Sequence, residues 1–328
     1  MKAFNIWVTR RCNLRCKYCY EGIEKRNLDF SKENIGKLID FIRCSSINEP
    51  ELTINFHGGE PLLRLDIIKA ICDRLNEFDI PARYSLTTNA LLLNESIIST
   101  IMEYKIYLSI SLDGDKVSND SNRIDMFGNG TYERVVKNAQ RVAEMGLNPR
   151  IRMTVTPNNV HSFYYNIEHL LELGFKNIVA VPDFFDKYWD DEKIELLKTE
   201  LIRVKEKEVA EDVSITFFKD NISKKGLCAG GIVQCNIDVD MLVYPCTYGV
   251  GDIDLSIGNI IDGIDKSKNA VLMELNQKEN IECRGCTYGK YCTSTRCKIL
   301  NKVLTGDYLG TSPVICELEN VFYQVYHD

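Results

Sequence analysis

Short apolar runs alternate with longer segments of helical period through the first 182 residues, and this alternation builds a parallel sheet with crossover helices. The apolar runs read as six strands: Phe4 to Thr9, Leu52 to His57, Tyr84 to Thr88, Ile106 to Leu112, Arg150 to Thr156 and Asn177 to Val181. The intervening helices have recognisable starts. Ser31 and Asn34 precede Ile35, Leu38, Ile39 and Ile42, whose spacing puts all four on one face. Six strand and helix units are too few for a closed eight-unit barrel. The expected class is therefore α/β, a partial (β/α)6 TIM-like barrel over residues 1–186 with its site at the C-terminal strand ends. Residues 187–227 read as a connector with one amphipathic helix over about 190–210, where leucine, isoleucine and valine recur at helical spacing among charged residues. Residues 228–328 combine glycines, few long helical stretches and eight cysteines, as in a small domain organised by metal.

Composition narrows the function. An apolar share of 45% suits a globular core and excludes a disordered chain. Neither a signal peptide nor a bilayer-spanning run is evident, so the chain is expected in the cytoplasm. In that reducing compartment thirteen cysteines are more often metal ligands or catalytic groups than disulfides. A net charge of -7 without a basic stripe argues against nucleic acid or an anionic membrane as partner.

Cys12, Cys16 and Cys19 follow the first strand at CxxxCxxC spacing, which gathers three thiolates in one loop. Structural zinc takes four protein ligands, whereas a 4Fe-4S cluster on three cysteines keeps one iron open for a ligand. Zinc with a borrowed fourth ligand such as His57 is the alternative. His57-Gly58-Gly59-Glu60-Pro61 ends the second strand, where paired glycines allow close backbone approach or simply a tight turn. Ser109, Ser111 and Asp113 end the fourth strand with groups able to bond ribose hydroxyls or an amino acid. Thr88 and Asn89 end the third strand, Arg152 and Thr154 lie on the fifth, and all face the same rim. Val179 and Val181 read as core, with packing on a nucleobase as a secondary role.

With an aromatic residue, Tyr18, before the last cysteine, CxxxCxxC at the end of a first strand resembles the radical SAM superfamily. The resemblance implies that Cys12, Cys16 and Cys19 hold a 4Fe-4S cluster whose open iron chelates S-adenosylmethionine. It implies that the Tyr18 backbone meets the adenine, that the Gly58 and Gly59 backbone with Glu60 receives the methionine amino group, and that Arg123 meets the methionine carboxylate. A surface arginine is the plain reading of Arg123, and a ring packed beneath the loop that of Tyr18.

The later array is Cys228, Cys235, Cys246, Cys283, Cys286, Cys292, Cys297 and Cys316, enough for two sets of four. Two zinc sites would use the same spacings. After a radical SAM barrel the order resembles the SPASM extension, which implies two auxiliary 4Fe-4S clusters and three clusters in all. By that resemblance Cys228, Cys235, Cys246 and Cys297 hold the first auxiliary cluster, and Cys283, Cys286, Cys292 and Cys316 the second. Four residues, not the usual three, precede Cys297, which leaves an open site on the first cluster as the alternative to full ligation. Met241 stands where glycine is common. Cys44 and Cys72 read as small buried apolar residues of helices.

Together the resemblances imply cleavage of S-adenosylmethionine to a 5'-deoxyadenosyl radical, which takes hydrogen from a ribosomally made precursor peptide. A thioether or carbon-carbon crosslink is the expected product. No catalytic side chain is assigned. A flavodoxin or ferredoxin is the expected electron donor. No separate leader-binding domain is expected before the barrel, so a second protein is one candidate for leader recognition. Two alternatives remain open: a sulfatase maturase forming formylglycine, whose family carries a catalytic aspartate where this chain has Thr247, and a non-catalytic iron-sulfur electron carrier.

Overall fold

The computed structural model describes residues 2–22, 26–47, 49–210, 213–216 and 226–327. In chain order come β1 (Lys2–Thr9), α1 (Ile35–Ser45), β2 (Leu52–Gly58), α2 (Leu65–Glu77), β3 (Ala82–Thr88), α3 (Glu95–Glu103) and β4 (Tyr107–Ser111). Next are α4 (Lys116–Asn122), α5 (Tyr132–Glu144), β5 (Arg150–Val155), α6 (Phe163–Glu172), β6 (Asn177–Pro182), α7 (Asp191–Ala210) and β7 (Ser214–Thr216). The remainder forms β8 (Gln234–Ile237), β9 (Leu242–Tyr244), β10 (Gly258–Asn259), β11 (Gly263–Ile264), α8 (Lys266–Gln277), α9 (Thr293–Arg296), α10 (Lys298–Thr305) and α11 (Pro313–His327). No described helix is long and apolar enough to cross a membrane.

The chain divides into two compact units, each made of separate stretches, with the division falling inside β4. The first holds the chain up to Asn13, Glu21–Ser109 and Ala229–Leu275. Its strands run β11-β10-β9-β8-β1-β2-β3, with β8, β1, β2 and β3 mutually parallel. Buried residues recur at every second position in β2 (Leu52, Ile54, Phe56) and in β3 (Tyr84, Leu86, Thr88), the period of a strand with one packed face. Helices cover that face: Phe4 meets Phe41 of α1 edge-on at 6.3 Å, and the Tyr84 hydroxyl reaches Asn76 of α2.

β8 was expected to open a separate C-terminal domain. Instead it pairs with β1, so Cys235 and Cys246 group with the first unit. In the tight turn from β8 to β9, Met241 holds φ at 73° and donates its N–H to the Asp238 carbonyl at 3.0 Å. Glycine adopts that geometry without the penalty of roughly 1 kcal/mol that a Cβ brings, which accounts for its being usual there.

The second unit holds Leu14–Tyr20, Ile110–Cys228 and Asn276–Asp328. β5, β6 and β7 are parallel, so α7, the amphipathic helix expected in the connector, is the crossover of a further strand and helix unit. α11 packs on α7, with Lys205 Nζ donating to the Val325 carbonyl at 2.6 Å. The cysteine-rich region is also more helical than expected, since α8, α10 and α11 fall within it.

Candidate cofactor and metal site

In the first unit the cysteine loop leaves β1 against the end of β2. A Cβ on Gly58 would stand 2.1 Å from the Thr9 carbonyl oxygen, and one on Gly59 would stand 2.3 Å from that of Arg11. Gly59 N–H donates to Thr9 O at 3.1 Å and Glu60 N–H to Arg11 O at 2.8 Å. The paired glycines therefore bring β2 against the backbone that carries Cys12. Glu60 is 1% exposed, and its carboxylate accepts from Thr88 Oγ1 at 2.7 Å, Asn89 N at 2.8 Å and Leu62 N at 3.0 Å. Burial pushes its pKa up from 4.5 to about 6 because these donors only partly offset desolvation. With both oxygens engaged, Glu60 orients the turn that presents Asn89. Asn89 Nδ2 in turn reaches Asn13 Oδ1 at 2.7 Å and Cys12 Sγ at 3.9 Å.

Arg10, Glu21 and Asp238 form a network that sequence reasoning missed. The buried Arg10 guanidinium donates to Asp238 at 2.8 and 2.6 Å, and Glu21 Oε2 lies 3.5 Å away. Trp7 Nε1 donates to Glu21 Oε1 at 2.7 Å, and its ring lies 4.2 Å from that of His57. The only sequence signal was a run of charges beside the cysteines, which reads equally as surface. Ser109 is buried at the end of this unit.

In the second unit the loop residues Arg15 and Lys17 donate backbone N–H groups to Ile124 and Asn122 at 2.9 and 3.0 Å. Cys19 N–H closes a turn on Cys16 O at 3.2 Å. Asp113, 0% exposed, accepts from the Tyr18 hydroxyl at 2.5 Å, Arg123 Nη2 at 2.9 Å and Thr154 N at 2.9 Å. The Arg123 guanidinium also lies 5.2 Å over the Tyr18 ring. Burial holds the Tyr18 phenol well above its ordinary pKa, so it acts as a donor. Arg123 is thus a buried cation, and among the described residues its Nε has no hydrogen-bond partner. Ser111 and Val181 are half-buried and Arg152 is exposed. Val179 and Val181 lie on the face opposite the core residues Ile178 and Ala180, a correction to their reading as core.

None of the thirteen cysteines is in a disulfide. Cys72 is buried as expected, but Cys44 is exposed. Cys283, Cys286, Cys292 and Cys316 all belong to the second unit, where burial first, and then the nearby thiols of Cys286 and Cys316, push the Cys283 thiol up. Lys298, 1% exposed, donates to Asn280, and burial pushes its ammonium pKa down, opposed in part by the nearby Cys283 and Cys297. Cys228 and Cys297 also fall in this unit, apart from Cys235 and Cys246. Among the described residues no group of three or more His, Cys, Asp or Glu side chains converges to hold a single ion. Ligands of an iron-sulfur cluster need not converge, because each thiolate takes a different iron. Thiols outside disulfides and a buried Arg Nε lacking an acceptor are a donor set that fits a cluster and a carboxylate-bearing cofactor.

A family model described as Radical SAM superfamily matches residues 6–173, just over half of the chain. A cysteine-type anaerobic sulfatase-maturating enzyme of Clostridium novyi is 24% identical over 330 residues, covering 90% of this chain and 88% of its own. An uncharacterized protein of Methanocaldococcus jannaschii is 32% identical over 181 residues; the match takes in 54% of this chain and 61% of that protein. Among solved structures, native anSMEcpe with bound AdoMet superposes with a TM-score of 0.84 at 20% identity, covering 99% of this chain and 97% of that one. Streptococcus suis SuiB bound to precursor peptide SuiA gives 0.68 at 17% identity, covering 96% and 75%. These likenesses establish the α/β fold of the partial-barrel class.

Proposed function

Because the chain belongs to the radical SAM superfamily, we propose that this enzyme is an oxidoreductase that matures a ribosomally made peptide, installing a thioether or carbon-carbon crosslink. When bound, S-adenosylmethionine and the N-terminal cluster supply a 5'-deoxyadenosyl radical that takes a hydrogen atom from carbon, while C-terminal clusters supply a sink for the electron that remains. Cys12, Cys16 and Cys19 are the thiols for the first group; the two later sets of four serve the auxiliary clusters. Arg123 Nε offers a charge-assisted donor to the methionine carboxylate. Asn89, oriented by Glu60, steadies the Cys12 thiol. The peptide loses two hydrogens overall: one leaves as an atom, the other as a proton and an electron. A peptide substrate is supported by the likeness to SuiB, whose structure holds a precursor peptide. A flavodoxin or ferredoxin in a reducing cytoplasm suits the required single-electron supply, and a separate leader-binding protein is a further partner of this reading.

The observation that favours crosslinking over formylglycine formation is Thr247. Its hydroxyl donates to Asn236 Oδ1 at 3.0 Å and, unlike a carboxylate, cannot accept a proton at neutral pH. Formylglycine formation is the second reading, favoured by the near full-length similarity to the Clostridium novyi maturase.

The test incubates anaerobically reconstituted enzyme, reductant and S-adenosylmethionine with a library of synthetic cysteine-containing peptides, and reads 5'-deoxyadenosine and peptide mass together. Loss of two hydrogens with sulfur retained is expected, and it should vanish in the Cys12→Ala, Cys16→Ala, Cys19→Ala triple variant. Sulfur replaced by oxygen would instead establish the second reading. Cleavage of S-adenosylmethionine by the triple variant at the parent rate would overturn the assignment.

A further inference from the structure

The sheet of the first unit carries a row of polar side chains that the cofactor residues do not explain. Asn5 of β1 stands opposite Asn55 of β2 and Asn236 of β8, and Asn55 stands opposite Ser85 of β3. Asparagine is depleted in strands, and parallel strands buried on both faces are ordinarily runs of valine, isoleucine and leucine. Here Phe4, Ile54, Tyr84 and Cys235, one position away, keep the apolar pattern on the face that meets α1 and α2. The opposite face is polar at the same level on four adjacent strands.

The row has a direction. Asn236 Nδ2 donates to the Tyr244 carbonyl at 3.2 Å, which turns its Oδ1 toward β1. Asn5 Nδ2 donates to that oxygen at 2.7 Å, Asn55 Nδ2 donates to Asn5 Oδ1 at 2.6 Å, and the Ser85 hydroxyl donates to Asn55 Oδ1. Thr247 Oγ1 and Gln234 Nε2 add further bonds to Asn236 Oδ1 at 3.0 and 3.4 Å. Asn236 and Asn5 are buried, 0% and 8% exposed, whereas Asn55 and Ser85 are half-buried.

Two consequences follow at the accessible end. Asn55 spends one N–H on Asn5 and one lone pair on Ser85, so among the described residues one N–H and one lone pair remain. Ser85 has turned its proton inward and presents only lone pairs. A donor and acceptors therefore stand side by side in a fixed orientation, the complement of a peptide group with its own N–H and C=O. We propose that Asn55 and Ser85 form a subsite for main-chain amide groups of the peptide substrate, with Asn5 and Asn236 as positioning residues. The choice of peptide as ligand rests on the maturase reading above.

The test uses reconstituted holoenzyme with 15N-labelled asparagine and, as probe, N-acetylglycine N-methylamide, which offers two peptide groups and no side chain. The Asn55 side-chain amide signals, identified by their loss in Asn55→Leu, are expected to shift saturably with the probe. Ser85→Ala keeps Asn55 and its bond to Asn5, and is expected to weaken probe binding about 2- to 10-fold, the loss of one hydrogen bond, while lowering the unfolding midpoint only by what its own bond to Asn55 contributes. A role in strand register alone would leave probe affinity at the parent value in Ser85→Ala, and that result overturns the proposal. Asn55 signals that move no more than those of the exposed Asn158 overturn it as well. Formation of 5'-deoxyadenosine is measured on the same samples. Probe binding without cleavage supports the subsite and sinks the radical reading; cleavage with no probe response does the reverse.

Discussion

Glu60 and Asp113 are carboxylates buried to the same degree, 1% and 0% exposed, at the ends of strands in different units, yet the chain satisfies them in opposite ways. Glu60 has only neutral donors, a hydroxyl and two backbone N–H groups. Asp113 has a guanidinium, a phenol and one backbone N–H. Neutral donors leave a desolvation cost visible in the raised pKa of Glu60. A buried cation offsets that cost but creates a second buried charge, and one face of it, Arg123 Nε, still lacks an acceptor among the described residues. The first arrangement finishes a turn; the second leaves a buried donor, Arg123 Nε, that a carboxylate-bearing cofactor would satisfy under the reading proposed above.

Breaking the charged arrangement should have the largest effect. Arg123→Met strands Asp113 as an unpaired buried charge and is expected to cost about 3–5 kcal/mol in urea unfolding. A cost below that of the uncharged disruptions below would mean that Asp113 is not held by charge. Next comes pH. The folded pKa of Glu60 is about 6 against an ordinary 4.5, so folding favours the protonated form. Its contribution is fully present below pH 4.5 and is lost as pH rises through 6, about 2 kcal/mol in all. Glu60→Gln should flatten that slope. Urea midpoints collected between pH 4 and pH 7 for parent and variant decide the matter, and parallel curves would refute it. The smallest effect is expected from Thr88→Val, which removes one neutral donor from Glu60 for about 1 kcal/mol and, by leaving the carboxylate less satisfied, moves the slope to higher pH. No movement of the slope would show that Thr88 is not a significant partner.

The strands were legible because their period is local. The six expected strands lie within two residues of the observed ones, since Phe4, Ile6 and Val8, or Ile178 and Ala180, repeat at the spacing of one packed face. β8 was not legible, because four residues pair with a strand more than two hundred positions away. α7 was seen as a helix but not as a crossover, because β7, the strand it leads to, is three residues long. Within the site, the cysteine spacings and the glycine pair stood out. Their partners did not: nothing local reveals that a Cβ at Gly59 meets Arg11, or that Arg123 and Asp113 are one ion pair. The polar row did leave a trace, asparagines in the middle of apolar strands, which becomes meaningful only once register aligns Asn5, Asn55 and Asn236.

The placement of β1 between β2 and β8 also bears on how the chain is made. Asn5 and Asn236 are 231 residues apart, and at about 5–20 residues per second the ribosome needs roughly ten to fifty seconds to supply the second after the first. Through that interval one edge of β1 offers unpaired N–H and C=O groups, a template for wrong partners. Arg10 meanwhile lacks the Asp238 carboxylate that it meets at 2.6 Å in the finished protein. Contacts of such separation also slow the search for the native pairing after release. A strand made before both of its neighbours is therefore among the last to be completed.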